Sequence, residues 1–449
     1  MFLCANNNAL VSAILACWQL GAVAALVDPN APAPHRAAAI HQVAPHLIVT
    51  GPGLKAVTPE IRDSYPLVDI ESHAEAASTI PPQTKVPFSG HGTAVILFTS
   101  GSTGLPKGVK LSFGAILESA RLVSHYLKLG PKDVTSLFIP LTFRMALSVL
   151  MAHLFSGATI ILEEGLVSTK GSVFERARHH GVTGVSCVPT HFRMMQDRGF
   201  FAESFTPRLR YVRVGAGKLR PAEISRFKNQ RPGCELILTY GLTETGEVTL
   251  QTGEAALEAS TSVGCPLADV AINIAPHDDA PYPAGEIAVS GKRLFSGYLT
   301  RDEGGVGSSE TPFHTQDLGH LDGEGRLHLT GRLRAMVKVA GESISLHQIE
   351  QTLLTLPEIE NAVAVAVQDQ RLNEAPFAFV RVKTGHRFDA HRIRVHCRQH
   401  LSQQAMPRHI RSIRNFPTLT NSKLDRRALE SRAAEICQES EDNLQPNDF

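Results

Sequence analysis

Short apolar runs (AVAALV, HLIVT, AVILFT, ATIILEE, GVSCV, LRYVRV and CELILTY) recur between stretches with helical spacing, and this alternation constrains the fold more than any other feature of the chain. Runs this short and this rich in apolar residues suit strands buried on both faces, as a largely parallel sheet covered by helices requires. The expected class is α/β. From Gly264 to Gly331 the texture changes to short strands with frequent Gly and Pro, among them AGEIAVSG and GRLHLTG, which predicts a twisted antiparallel unit or small barrel. After Arg334 the order VKVAG, HQIEQTLLTL, AVAVAV, FAFVRV and FDAHRIRVHCRQHL predicts a small α+β domain, on a scale of roughly 100 residues. A chain of 449 residues exceeds what one core usually serves, so two domains are expected, at 1–332 and 333–449.

Charge narrows the partners. Lys plus Arg (44) nearly cancels Asp plus Glu (43) with no long run of one sign, which recommends neither nucleic acid nor a membrane surface and leaves small molecules. The seven cysteines form no CxxC pair and no His/Cys cluster, so neither a disulfide framework nor a zinc site is expected, and a cytoplasmic location suits them. The stretch Ala9 to Val27 carries no charge and is long enough to span a bilayer. No Lys or Arg precedes it, and Gly21 divides it into a helix-like piece and the run AVAALV, so it reads as a buried helix followed by a buried strand.

The densest chemistry lies in TSGSTGLPKGV, behind the apolar run AVILF. A turn after a strand is where α/β proteins bind ligands. Glycines such as Gly101 and Gly104 let backbone N–H groups face inward, Thr99, Ser100, Ser102 and Thr103 add hydroxyls, and Lys107 adds a cation, so the loop can wrap phosphate oxygens. It is not a Walker loop: Pro106 precedes the lysine, Gly108 follows it, and no Ser or Thr stands ready for a cation.

The loop resembles the phosphate-binding signature of the adenylate-forming superfamily, which includes acyl-CoA synthetases and the adenylation domains of peptide synthetases. Further motifs of that superfamily follow in order: YGLTE, AGEIAVSG with SGY at Ser296 to Tyr298, HTQDLGHLDGEGRLHLTGR, KVAGESISLHQIE and NSKLDR, so that the likeness runs from about residue 2 to residue 430. The resemblance implies a large N-terminal domain of largely parallel sheets and a small mobile C-terminal one, with ATP, Mg²⁺, a carboxylic acid and a thiol as reactants. It puts Tyr240 and Gly241 at the adenine, with the small-residue turn Gly215, Ala216 and Gly217; Thr243 on the α-phosphate; and Glu244 on Mg²⁺, a hard cation that prefers oxygen. Asp317 matches the ribose carboxylate, Arg332 reinforces it, Arg334 stands at the hinge, and Gly341 lines the thiol's approach. Lys423 matches the lysine of the small domain that bridges substrate carboxylate and α-phosphate.

Some positions depart from the pattern. Gln316 replaces the glycine before Asp317, Ser422 the glycine before Lys423, and Arg334 the usual Asp or Lys of the hinge. Phe143 stands in PLTFRMAL where a histidine is usual, and the opening strand and helix, roughly 30 to 60 residues of a single large domain, are expected to be missing. The acyl pocket is expected from Phe143, Met145, Val188, Pro189, Thr190, Phe192 and Val214. These side chains are mostly apolar, and the stretch IPLTFRMALSV offers no carboxylate for a substrate ammonium, so a fatty, aryl or arylacrylic acid is expected rather than an α-amino acid. No LGGxS-like carrier segment follows the small domain, so the acceptor is expected to be CoA or the phosphopantetheine of a separate carrier protein. Two alternatives stay open on the sequence: adenylation followed by amide or lactone formation, and a nucleotide-binding protein without turnover.

Overall fold

The computed structural model describes residues 1–51, 59–70, 92–100, 106–166, 173–259, 261–276, 284–299, 312–333, 336–339, 342–369, 373–401, 405–418 and 424–442. The alternation of apolar runs becomes two sheets. The first contains β1 (Phe2–Leu3), β2 (Ala24–Leu26), β3 (Ile48–Thr50), β4 (Leu67–Asp69), β5 (Thr93–Ser100) and β6 (Pro106–Ser112) in the order β4-β3-β1-β2-β5-β6. Pairing is parallel from β4 to β5, and β6 returns antiparallel against β5. The uncharged stretch from Ala9 divides as its glycine suggests, into the helix Asn8–Gln19 and β2. Asn7 caps the helix by accepting the Leu10 N–H at 2.8 Å, Gly21 turns the chain at φ +69°, and the Trp18 indole N–H donates to the Ala94 carbonyl at 3.0 Å. Among the described residues no helix is long and apolar enough to cross a membrane.

The second sheet contains β7 (Val134–Leu137), β8 (Thr159–Leu162), β9 (Gly184–Cys187), β10 (Tyr211–Val214), β11 (Glu235–Leu242), β12 (Gly246–Thr252) and β13 (Cys265–Pro266), in the order β13-β12-β11-β10-β9-β7-β8. Its strands from β8 to β11 are parallel, and β12 and β13 fold back antiparallel. Gly184 at the head of β9 has a packing reason: a Cβ there would lie 2.0 Å from the ring of Tyr211, its register partner on β10.

The helix Arg144–Phe155 is tied to this sheet by a buried histidine. His153 is fully buried, its Nδ1 N–H donating to the Val149 carbonyl at 2.7 Å and its Nε2 accepting the Tyr211 hydroxyl at 3.1 Å, the arrangement of a neutral ring. Burial pushes its pKa down to about 4. Because the folded value lies below the unfolded one, the unfolded chain takes up the extra proton first, and stability present above pH ~6.5 is lost as pH falls towards ~4. The expected loss is about 3 kcal/mol over that window. Urea titrations followed by the fluorescence of Trp18, the chain's only tryptophan, check it. A His153→Gln variant should show a flatter profile over the same window, and an equally steep one would contradict the assignment.

The chain divides into two compact units: Met1–Ile272, Val289–Phe313 and Gly323–Leu327 form one, and Asn273–Ala288, His314–Asp322 and His328–Phe449 the other. The Gly- and Pro-rich region forms a four-stranded sheet, β14 (Val270–Ala275), β15 (Gly285–Gly291), β16 (Phe313–Leu321) and β17 (Leu327–Arg332), in sequence order. The last sheet contains β18 (Met336–Val339), β19 (Glu342–Ser345), β20 (Ile359–Asp369), β21 (Asn373–Val382) and β22 (His409–Ser412). It runs β19-β18-β21-β20, with β22 parallel to β21. The helices Leu346–Leu354 and Ala390–His400 contribute Ile349, Leu353, Ile393 and Cys397 to one core with Ala364, Ala378 and Val380 of its strands, the α+β composition expected of this region.

Candidate active site

In the first unit the loop expected to hold phosphates joins the antiparallel strands β5 and β6. Thr99 and Ser100 close β5, Lys107 lies near the start of β6, and the register pairs Thr99 with Lys107 and Ser100 with Pro106. Gly101, Ser102, Thr103 and Gly104 lie outside the described residues. The far edge of β6 is held by the SGY segment: Ser296 N–H donates to the Lys110 carbonyl at 2.8 Å, Lys110 N–H to the Gly297 carbonyl at 3.0 Å, and Leu299 N–H to the Gly108 carbonyl at 2.7 Å.

That docking places Tyr298 between the lysine and the glutamate singled out by the sequence. The Lys107 ammonium stands 5.4 Å from the centre of the Tyr298 ring, and the Tyr298 hydroxyl donates to Glu244 Oε1 at 3.0 Å. Tyr298 received no role from sequence reasoning. The G-Y pair was legible as a motif, but its neighbours in space were not.

Glu244 sits in the turn between β11 and β12. At Tyr240 and Gly241 the ladder slips, and a Cβ on Gly241 would lie 2.0 Å from the Gly246 carbonyl oxygen, so this position admits only glycine. Gly246 follows with φ +69°. Thr245 stitches the turn from inside, accepting the Leu242 N–H at 3.0 Å and donating to the Gly246 carbonyl at 2.9 Å. Outside it, the Phe295 N–H donates to the Glu244 carbonyl at 2.7 Å, and Arg144 donates to the Thr243 carbonyl at 2.6 Å. Thr243 and Glu244 are half-buried.

The turn after β10 carries Gly215, Ala216 and Gly217. Ala216 is left-handed, φ +58°, a conformation that glycine takes more easily. A Cβ on Gly215 would come within 3.0 Å of the Met145 sulfur and of Thr239 Oγ1, and one on Gly217 within 3.0 Å of Pro189. Two expected pocket residues, Met145 and Pro189, thus flank this turn. Phe143, Val188 and Pro189 are half-buried and Thr190 is exposed, at the starts of the helices Arg144–Phe155 and Pro189–Asp197. Val214 is buried in the core. Phe192 is fully buried and packs on Phe201 and Phe227 at ring distances of 5.1 and 5.6 Å, so its surroundings are those of a core residue.

Beneath these turns lies a charge cluster that the sequence did not suggest. Arg213, Glu247, Arg293 and Arg144 are all buried. Arg213 pairs with Glu247; Arg293 donates to the Glu247 carbonyl at 2.5 Å and grips Asp269 with two bonds of 2.7 and 2.9 Å. Burial alone would push the Glu247 carboxyl up, but Arg213 and Arg293 hold it below its usual value. Burial lowers Arg144 to about 10, so it remains a cation at neutral pH.

In the second unit Asp317 is buried on β16 and ion-paired with the exposed Arg332 of β17, so the structure joins the two residues expected at the ribose. Gln316 is left-handed, φ +61°, with its N–H on Glu286 Oε1 at 3.0 Å: the backbone keeps the shape of the glycine that the motif usually has there. Arg334, Gly341, Ser422 and Lys423 lie outside the described residues.

Two largely parallel sheets, with a hydrogen-bonded Thr243–Glu244 turn at the end of one of them, define the class as α/β. The chain belongs to the AMP-binding enzyme family, whose model matches residues 1–299, and the model of the family's C-terminal domain matches residues 348–423. It is 28% identical over 433 residues to the 2-succinylbenzoate–CoA ligase of Bacillus pumilus, an alignment spanning 95% of this chain and 86% of the relative. It is also 28% identical over 448 residues to a dimodular nonribosomal peptide synthase of Bacillus subtilis, but spans only 19% of that protein. Its fold matches that of the o-succinylbenzoate CoA synthetase of Bacillus subtilis, solved with an acyl-adenylate intermediate, at a TM-score of 0.82 and 24% identity over 96% of this chain and 87% of that one.

Proposed function

We propose that the protein is an ATP-dependent, AMP-forming acid–thiol ligase. The carboxylate oxygen of the acid attacks the α-phosphorus of ATP, the α–β anhydride bond breaks, and pyrophosphate leaves. A thiolate then attacks the acyl carbon of the adenylate, and AMP departs with the oxygen the acid brought. The observation that carries this reading is the constellation Lys107, Tyr298 and Glu244 beside a backbone-locked Thr243.

Glu244 suits Mg²⁺: its Oε1 is fixed by the Tyr298 hydroxyl, while Oε2 takes no hydrogen bond from the described residues. When bound, the cation offsets the charge of the phosphates. Thr243 donates to the α-phosphate, Lys107 follows the leaving pyrophosphate, and the turn Gly215 to Gly217 with Tyr240 receives the adenine. Asp317 and Arg332 serve the ribose, and Lys423 serves the reacting carboxylate and α-phosphate. In this division of labour 1–332 is the adenylating domain and 333–449 the small domain, which turns about Arg334 to bring the thiol past Gly341.

The half-buried Phe143, Met145 and Pro189 favour an apolar or aromatic acid, and the aromatic substrate in the names of the relatives puts 2-succinylbenzoate first among the candidates. CoA is the favoured acceptor, with a separate carrier protein second. Seven cysteines, none joined in a disulfide, suit the cytoplasm. Pyrophosphate release measured over a panel of aryl, arylacrylic and fatty acids tests the reading. Release that depends on both acid and MgATP is expected for at least one of them, and none for α-amino acids; release indifferent to the acid would contradict it.

Tyr298→Phe gives a narrower test. Loss of the hydroxyl frees the Glu244 carboxylate to rotate, and the Mg²⁺ concentration for half-maximal rate is expected to rise roughly fivefold, with the KM for the acid unchanged. An unaltered Mg²⁺ requirement would remove Tyr298 from the site.

A further inference from the structure

We propose that Arg144 is a positioning residue that holds the Thr243–Glu244 turn in the shape required to receive the nucleotide's phosphates and cation. The proposal rests on the reading of Thr243 and Glu244 given above.

Arg144 opens the helix Arg144–Phe155 and lies between Phe143 and Met145, yet the residue is only 7% exposed and its guanidinium is turned inward. One Nη donates to the Thr243 carbonyl at 2.6 Å and the other to the carbonyl of Arg293. The guanidinium lies over Gly246: a Cβ on that glycine would come within 3.0 Å of Nη2 and 3.2 Å of Cζ. The planar group therefore fills the space left by the one residue whose left-handed backbone closes the turn. Its second carbonyl partner matters as much as its first. Arg293 opens the irregular stretch that also supplies the Phe295 N–H to the Glu244 carbonyl and the Tyr298 hydroxyl to the Glu244 carboxylate. One side chain thus fastens the turn to the segment that orients its glutamate.

Among the described residues no carboxylate lies within ion-pair distance of Arg144. Its charge is met by two backbone carbonyls, a use that suits the guanidinium's fixed fork and that a lysine cannot reproduce. The charged groups that act on it are Glu247, Arg293 and Glu244. The first two are engaged with each other and with Arg213 and Asp269, whereas Glu244 is the residue of the site itself.

A purely structural arginine would, when replaced, lower the melting temperature and weaken all ligands alike. A positioning residue loses a particular increment: the affinity that Mg²⁺ adds to ATP. Calorimetric titration of the full chain with ATP in EDTA and with MgATP separates the two. For Arg144→Met, about tenfold weaker MgATP binding is expected with a clearly smaller loss for metal-free ATP, which meets Thr243 but brings no cation to Glu244. Should that variant fail to fold, Arg144→Lys, which keeps the charge but not the fork, is expected to show a loss of several-fold in the same increment. A folded variant that binds both forms as the parent does overturns the proposal. A parent chain that binds no MgATP overturns the functional reading itself, and the proposal with it.

Discussion

Replacing Lys423 by alanine is expected to lower acid-dependent exchange of pyrophosphate into ATP by about 10²- to 10³-fold, the cost typical of removing one preorganised donor from a developing negative charge. The physical reason is the meeting of two anions. The substrate carboxylate must approach a phosphate chain, and charge grows on the departing pyrophosphate, so a fixed ammonium stabilises the transition state more than the ground state. Lys423 stands in NSKLDR, at the last residue matched by the model of the family's C-terminal domain. If the catalytic assignment is sound, thioester formation from chemically prepared acyl-adenylate should survive the substitution, because that half-reaction no longer needs the two anions to meet. A variant that exchanges pyrophosphate as fast as its parent would remove Lys423 from the first step.

Glu247→Gln is expected to produce the largest loss of stability. It would leave the buried Arg213, Arg293 and Arg144 with Asp269 as the remaining carboxylate of the cluster, and breaking a buried pair from one side typically costs about 3–5 kcal/mol. Trp18 reports the transition of the first unit. The pH dependence has a definite sign: the folded Glu247 carboxyl is held below its ordinary value, so its contribution is present above pH ~4.5 and is lost as pH falls through the depressed folded value. The Gln variant should therefore differ most from the parent near neutrality and converge with it in acid. A difference below about 1 kcal/mol at neutral pH would mean that the guanidiniums are solvated or paired otherwise.

These charges explain where sequence reading stopped. The parallel sheets were legible because strands of a helix-covered sheet are rich in apolar residues, and β2, β3, β5, β8, β9, β10 and β11 all coincide with the runs that announced them, even though β8 is no more than half-buried and β10 carries Arg213. The motif turns were legible because their glycines answer to close approaches: a Cβ on Gly241 would run into the Gly246 carbonyl, and one on Gly215 would press on Met145 and Thr239. Arg213, Arg293 and Arg144 were not, since an arginine defaults to the surface and only its neighbours in space reveal that it is paired inside. Tyr298 is a similar case: its carboxylate partner lies 54 positions away in sequence. Gln316 shows the reverse, a departure from the usual glycine that leaves the left-handed backbone in place. Phe192 was a reasonable pocket residue by type and proximity to Pro189, but its ring is enclosed by Phe201 and Phe227, a grouping that spacing alone does not reveal.

The central claim, that the acid's own oxygen attacks the α-phosphorus, is tested most directly by isotope transfer. The chain is incubated with MgATP, CoA and a turned-over acid labelled with ¹⁸O in its carboxylate, and the nucleotide product is weighed by mass spectrometry. One labelled oxygen in AMP, with none in pyrophosphate, is the expected result. Label in inorganic phosphate alongside ADP, or AMP free of label, would contradict acyl-adenylate formation.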